Sequence, residues 1–147
     1  MSAAPARRRP TGGVDAVRLG DALARLTRAT RRDLALPVGA SSIAALATVE
    51  RLGPIRLGEL ARHEGVTPAT LSRIVAVLED EGYAVRTTDA DDRRSSWLAI
   101  TTAGRRLLDG VRRDRADLVA ARIARLTSGQ QQALAAALDA IDVLADD

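Results

Sequence analysis

Arg73 is the side chain whose type and setting point to the most specific chemistry in this sequence. A planar guanidinium matches the O6 and N7 acceptors of a guanine edge, a fit that lysine's point charge does not reproduce. Thr67, Pro68, Ala69, Thr70 and Ser72 precede it, and small side chains of this kind let a helix approach a major groove closely. Thr70 is suited to a base edge, a thymine methyl or a phosphate. The competing reading of Arg73 is a solvated side chain, or one paired with Glu79 or Asp80. A second cluster, Asp92, Arg93 and Arg94, offers cations to a narrow minor groove. Asp92 is spaced to orient Arg94 through a charge-assisted hydrogen bond. By itself such a cluster is also an ordinary solvated charge run.

Other chemistries find little support. There is no cysteine and a single histidine, His63, which excludes disulfides, thiol redox switching and a zinc site of ordinary type. No phosphate-cradling glycine loop and no Gly-x-Ser-x-Gly nucleophile turn occurs. Asp89, Asp91 and Asp92 form an acidic group, but it stands beside two arginines and lacks the glycine and spacing of a calcium loop. No enzyme activity, cofactor or metal is therefore expected. His63 reads as a surface or helix-terminal residue, and Tyr83 and Trp97 as packing residues, with DNA contact by Trp97 the weaker alternative.

These residues need elements to carry them, and the apolar spacing supplies six helices and a hairpin. Leu19, Leu23 and Leu26 mark a first helix from Val14 to about Arg32. Ser41 or Ser42 is the expected cap of a second, with Ile43, Leu46 and Val49 on one side and Gly53-Pro54 ending it. Ile55-Arg56-Leu57 is a strand candidate. A third helix runs from about Gly58 to Glu64, and Gly65-Val66 turns the chain into a fourth. That helix is the most sharply marked: Thr67 at the cap, Pro68 at the first helical position, Leu71, Ile74 and Leu78 on one face, and Gly82 at the end. Tyr83 to Thr87 and Ser95 to Ile100 read as two strands joined by a charged tip. Thr101 or Thr102 starts a long fifth helix through Leu107, Leu108, Val111 and Leu118. Thr127-Ser128 opens the last, with Gln130 and Gln131 placed for a capping box and Leu134, Leu138 and Ile141 on one face.

The fold class expected is mainly α with a small β-hairpin wing, a winged helix-turn-helix flanked by N- and C-terminal helices. Composition agrees: 46% of the 147 residues are apolar, with no Phe, one Tyr and one Trp, which favours helices packed through Ala and Leu over a sheet core. A basic arm is expected at 1–13, read either as a frayed terminus or as a contact to DNA phosphate. One unit follows over 14–147, with the DNA-binding lobe at 40–101. Eight arginines against two aspartates give residues 1–32 a charge of +6, leaving −3 for the rest of a chain with net charge +3. Every basic residue is Arg, a bias broad enough that placement carries more weight than abundance. No secretory signal or membrane-spanning run is read, and a cytoplasmic location is expected.

The segments Leu60-Ala61, Val66 to Arg73, Leu78 to Tyr83, Asp89 to Ser95 and Ile100 to Gly104 together resemble the core pattern of the MarR (multiple antibiotic resistance regulator) family over residues 43–110. The Asp-x-Arg of the wing, followed at fixed distance by Thr-x-x-Gly, is its most telling part. The resemblance implies a homodimer whose first, fifth and sixth helices interlock through Leu19, Leu23, Leu107, Val111, Leu118, Leu134, Leu138 and Ile141. It implies a pseudo-palindromic double-stranded DNA site. It also implies control by a small-molecule effector, commonly phenolic or aromatic in the family, that alters the spacing of two recognition helices set for half-sites about 34–36 Å apart. The alternative is a winged helix used as a protein-interaction module without sequence-specific DNA binding.

Overall fold

The computed structural model describes residues 13–88 and 96–145. The chain divides into two units, residues 1–34 and 35–147. The first contains α1 (Ala16–Asp33), which starts on Asp15, whose carboxylate accepts the N–H groups of Val17 and Arg18 at 3.0 and 3.1 Å. Two of the four donors left open at a helix start are thereby satisfied.

The second unit runs α2 (Ala40–Leu52), β1 (Ile55–Arg56), α3 (Leu57–His63), α4 (Pro68–Asp80), β2 (Ala84–Thr88), β3 (Ser96–Ile100), α5 (Thr102–Ile123) and α6 (Ser128–Ala145). The expected winged helix-turn-helix is present. Its three strands are antiparallel in the order β1-β3-β2, so the strand before the helix-turn-helix completes the wing sheet. Leu46 and Val49 from α2, Leu60 from α3, Leu71, Val75 and Leu78 from α4, and Leu98 from β3 are all fully buried. Each contributes about 1.5–3 kcal/mol by leaving water, and together they lock α3 and α4 against α2 and the sheet.

Several boundaries differ from the sequence reading for local reasons. The cap of α2 is Gly39, not Ser41 or Ser42: the Gly39 carbonyl accepts the N–H groups of Ser42 and Ile43 at 2.9 and 3.1 Å, and Ser42 lies buried inside the first turn. Leu57 leaves the strand and begins α3. Of the two threonines offered for α5, Thr101 is the cap, its hydroxyl accepting Gly104 N–H at 3.1 Å. The capping box of α6 forms as read, Thr127 N–H donating to Gln130 Oε1 at 3.0 Å and Gln130 N–H to Thr127 Oγ1 at 3.3 Å. No helix among the described residues is long and apolar enough to cross a membrane.

Candidate nucleic-acid interface

α3 and α4 end in the same way. After α3, Gly65 at φ +63° lets Val66 N–H reach Ala61 O (3.0 Å) and Gly65 N–H reach Arg62 O (3.2 Å). After α4, Gly82 at φ +72° repeats the pattern, with Tyr83 N–H on Leu78 O and Gly82 N–H on Glu79 O at 2.8 and 2.9 Å. Glycine suits both left-handed positions because it has no Cβ to clash. A hydrogen bond of 2.6 Å from Thr48 Oγ1 to Glu64 Oε1 ties α2 to the turn after α3.

The orientation of α4 follows from its burial pattern. Leu71, Ile74, Val75 and Leu78 face the core, whereas Thr67, Pro68, Ala69, Thr70, Ser72 and Arg73 are all exposed. The structure thus brings the six residues read from sequence together on the free face of the helix's first half. Thr67 Oγ1 accepts Thr70 N–H at 3.2 Å and also lies 3.0 Å from the Thr70 hydroxyl. Arg73 forms no ion pair among the described residues, and Glu79 pairs instead with Arg86 from β2 at 3.2 Å. Asp80 lies two helical turns away, about 10 Å along the axis.

Asp92, Arg93 and Arg94 fall at 89–95, outside the described residues, as does the acidic group Asp89, Asp91 and Asp92. The strands that carry this tip are defined: β2 and β3 pair in register from Ala84↔Ile100 to Thr88↔Ser96. Their base is clamped to the end of α4. Thr101 N–H donates to Tyr83 O at 3.0 Å, the Thr101 hydroxyl donates to Gly82 O at 2.7 Å, and buried Gly104 lies directly against the Tyr83 carbonyl. The Thr-x-x-Gly spacing is thus a joint linking recognition helix, wing and α5.

The residues expected in a dimer interface have mixed exposure. Leu107, Leu118, Leu134 and Ile141 are half-buried, as is Leu19, while Leu23 and Leu138 are 43% and 51% exposed. Val111 is buried, so little of its surface remains to be covered by a partner. Sequence spacing missed several cross-element contacts, the Arg86–Glu79 pair among them. Besides Thr48 with Glu64, Arg112 on α5 bonds Glu50 on α2 and also Asp109 at 3.2 Å, and Arg56 lies over the Trp97 ring. The bond to Glu50 holds the Arg112 guanidinium above its ordinary pKa. No local pattern signals such pairs.

Known proteins share this arrangement. Residues 40–96, the span from α2 through the first residue of β3, match the MarR family profile. The HTH-type transcriptional regulator Mb0904 of Mycobacterium bovis is 32% identical over 127 residues, covering 86% of this chain and 89% of its own. A crystal structure of a transcriptional regulator from Pseudomonas aeruginosa superposes with a TM-score of 0.76 at 33% identity, covering 90% of this chain and 94% of the other. The transcriptional regulator Tm0710 of Thermotoga maritima follows at 0.67 and 25%, with 88% and 92% covered. The capped α4, the three-stranded wing and these likenesses converge: the chain belongs to the MarR family, and its winged helix-turn-helix is that of a DNA-binding transcriptional regulator.

Proposed function

We propose that the protein is a sequence-specific repressor, not an enzyme, that works in the cytoplasm as a homodimer on a pseudo-palindromic operator and is released by a small-molecule ligand. The observation that carries this reading is the face of α4: small residues and one arginine without an ion pair among the described residues outward, four apolar residues inward. In this reading Thr67, Pro68, Ala69, Thr70, Ser72 and Arg73 enter the major groove, and Asp92, Arg93 and Arg94 serve the minor groove beside it. Repression and ligand release are proposed on the strength of family membership rather than of any single residue.

Dimerisation is supported by apolar surface on the terminal helices. In α6 no residue is buried, and Leu138, Val143 and Leu144 are 51%, 69% and 65% exposed. Val17 and Leu26 extend the same character to α1. Helices that display this much apolar surface are stabilised by a partner. Leu138→Glu is expected to move the protein from dimer to monomer in sedimentation velocity and to weaken operator binding with it. A variant that sediments as wild type would remove Leu138 from the interface.

The function itself is tested by selecting bound duplexes from a random pool at near-physiological salt, where non-specific phosphate attraction is weak and base readout survives. An inverted repeat with half-sites one helical turn apart is the expected product. An enriched pool without a motif would favour the protein-interaction module instead.

A further inference from the structure

A cation on a strand of the wing is turned toward the recognition helix. Arg86 of β2 stands opposite Leu98 of β3, and Ala84 lies two residues before it. Leu98 and Ala84 are buried, so strand alternation puts Arg86 on the same inward face and Val85 and Thr87 on the other. From there its guanidinium reaches Glu79 of α4, Nη2 to Oε2, at 3.2 Å. α4 closes on the carboxylates Glu79, Asp80 and, at the C-cap, Glu81, with no basic residue in its last turn. Carboxylates there oppose the negative carbonyl end of the helix dipole. The helix itself gives no reason for Glu79, and the charge is answered from the wing.

The ion pair is a second attachment between these two elements. The first is the hairpin base, where the Tyr83 and Gly82 carbonyls accept the Thr101 N–H and hydroxyl. Bonds confined to one end of a ribbon resist its leaning weakly. Arg86 lies three residues beyond Tyr83, about 10 Å along the strand at about 3.4 Å per residue, so its bond to α4 acts with a longer lever arm. It joins the two elements that must enter adjacent grooves together.

We propose that Arg86 and Glu79 are positioning residues for DNA binding: their ion pair sets the lean of the wing against α4, and Arg86 acts through Glu79 rather than on DNA directly. This rests on the reading of the wing as a minor-groove element. An angle held in the free protein leaves less freedom to lose on binding. The two side chains are 35% and 33% exposed, so the pair is screened by solvent and adds little to folding. Its effect on binding is bounded by the same modest energy, which converts to about 2- to 5-fold in affinity.

Positioning and charge alone predict opposite signs for Glu79. Removing a carboxylate near DNA strengthens binding if Glu79 acts only by its charge, or if it holds back an arginine that would reach a phosphate. Removing half of a strut weakens binding. The full chain is titrated into the duplex recovered by the selection above, at near-physiological salt, as wild type, Glu79→Gln, Arg86→Gln and the double variant. Each single variant is expected to bind about 2- to 5-fold more weakly, with a thermal midpoint within about 4 °C of wild type. The double variant should bind no more weakly than Arg86→Gln, because the pair is lost only once. A Glu79→Gln affinity equal to or above wild type, or single losses that add in the double variant, overturns the proposal. Arg94→Gln tests the reading beneath it. Wild-type affinity and salt dependence in that variant would take the wing off the DNA, and the proposal with it. A weakened Arg94→Gln beside an unaffected Glu79→Gln overturns the proposal alone.

Discussion

Gly104→Ala is expected to lower the thermal midpoint by roughly 2–12 °C, from an overpacking cost of about 1–3 kcal/mol at about 2–4 °C per kcal/mol for a chain of this size. An added Cβ would stand 2.2 Å from the Tyr83 carbonyl oxygen and 2.8 Å from Ile100 Cγ1. The nearer atom is backbone, so no rotamer change relieves it. Moving that carbonyl breaks its bond from Thr101 N–H and pulls on the neighbouring Gly82 carbonyl, which accepts the Thr101 hydroxyl. Both carbonyls belong to the segment that closes α4, so the strain reaches the recognition helix. Gly110, on the same helix, has nothing within 4 Å of its would-be Cβ. Gly110→Ala should therefore hold or raise the midpoint, since alanine is the better helix former. Calorimetric scans of the two variants make the comparison. A Gly104→Ala midpoint at or above wild type would show that the joint yields without cost.

The contrast between these glycines marks where sequence reading stops. Thr67, Pro68 and Gly82 bounded α4 because each acts on the backbone within a few residues of itself. Thr127 with Gln130 was legible for the same reason. Ser41 and Ser42 misled because a serine ahead of an apolar run has the composition of a cap, while the Gly39 carbonyl and burial of Val38 start the helix earlier. Gly104 carried a recognisable spacing, but its reason lies 21 positions back in the Tyr83 carbonyl. Arg112 with Glu50 and Arg56 with Trp97 depend on how α5 meets α2 and how β1 meets β3. Such contacts are properties of packing, which no local period encodes. Val111, which the family resemblance groups with the interface residues, is buried within the subunit, a packing detail that the resemblance does not carry.

Arg73→Ala is expected to weaken binding to the selected operator by about 5- to 150-fold, the equivalent of about 1–3 kcal/mol for a bidentate base contact. Folding should be untouched, because the side chain is exposed and unpaired among the described residues, and surface changes of this kind stay within about 0.5 kcal/mol. The loss is expected at one base position in each half-site: the variant should accept all four bases there while the rest of the motif survives. That pattern separates base readout from phosphate contact, whose loss weakens all sequences alike and flattens the salt slope by about 1. Arg73→Lys sharpens the distinction. A lysine keeps the charge but not the planar fork, so it should preserve random-duplex affinity without restoring preference for the missing base. Repeating the random-pool selection with both variants reads these outcomes directly. If Arg73→Ala recovers the wild-type motif, the guanidinium does not read a base, and discrimination must come from Thr70, Ser72 or the shape of the duplex.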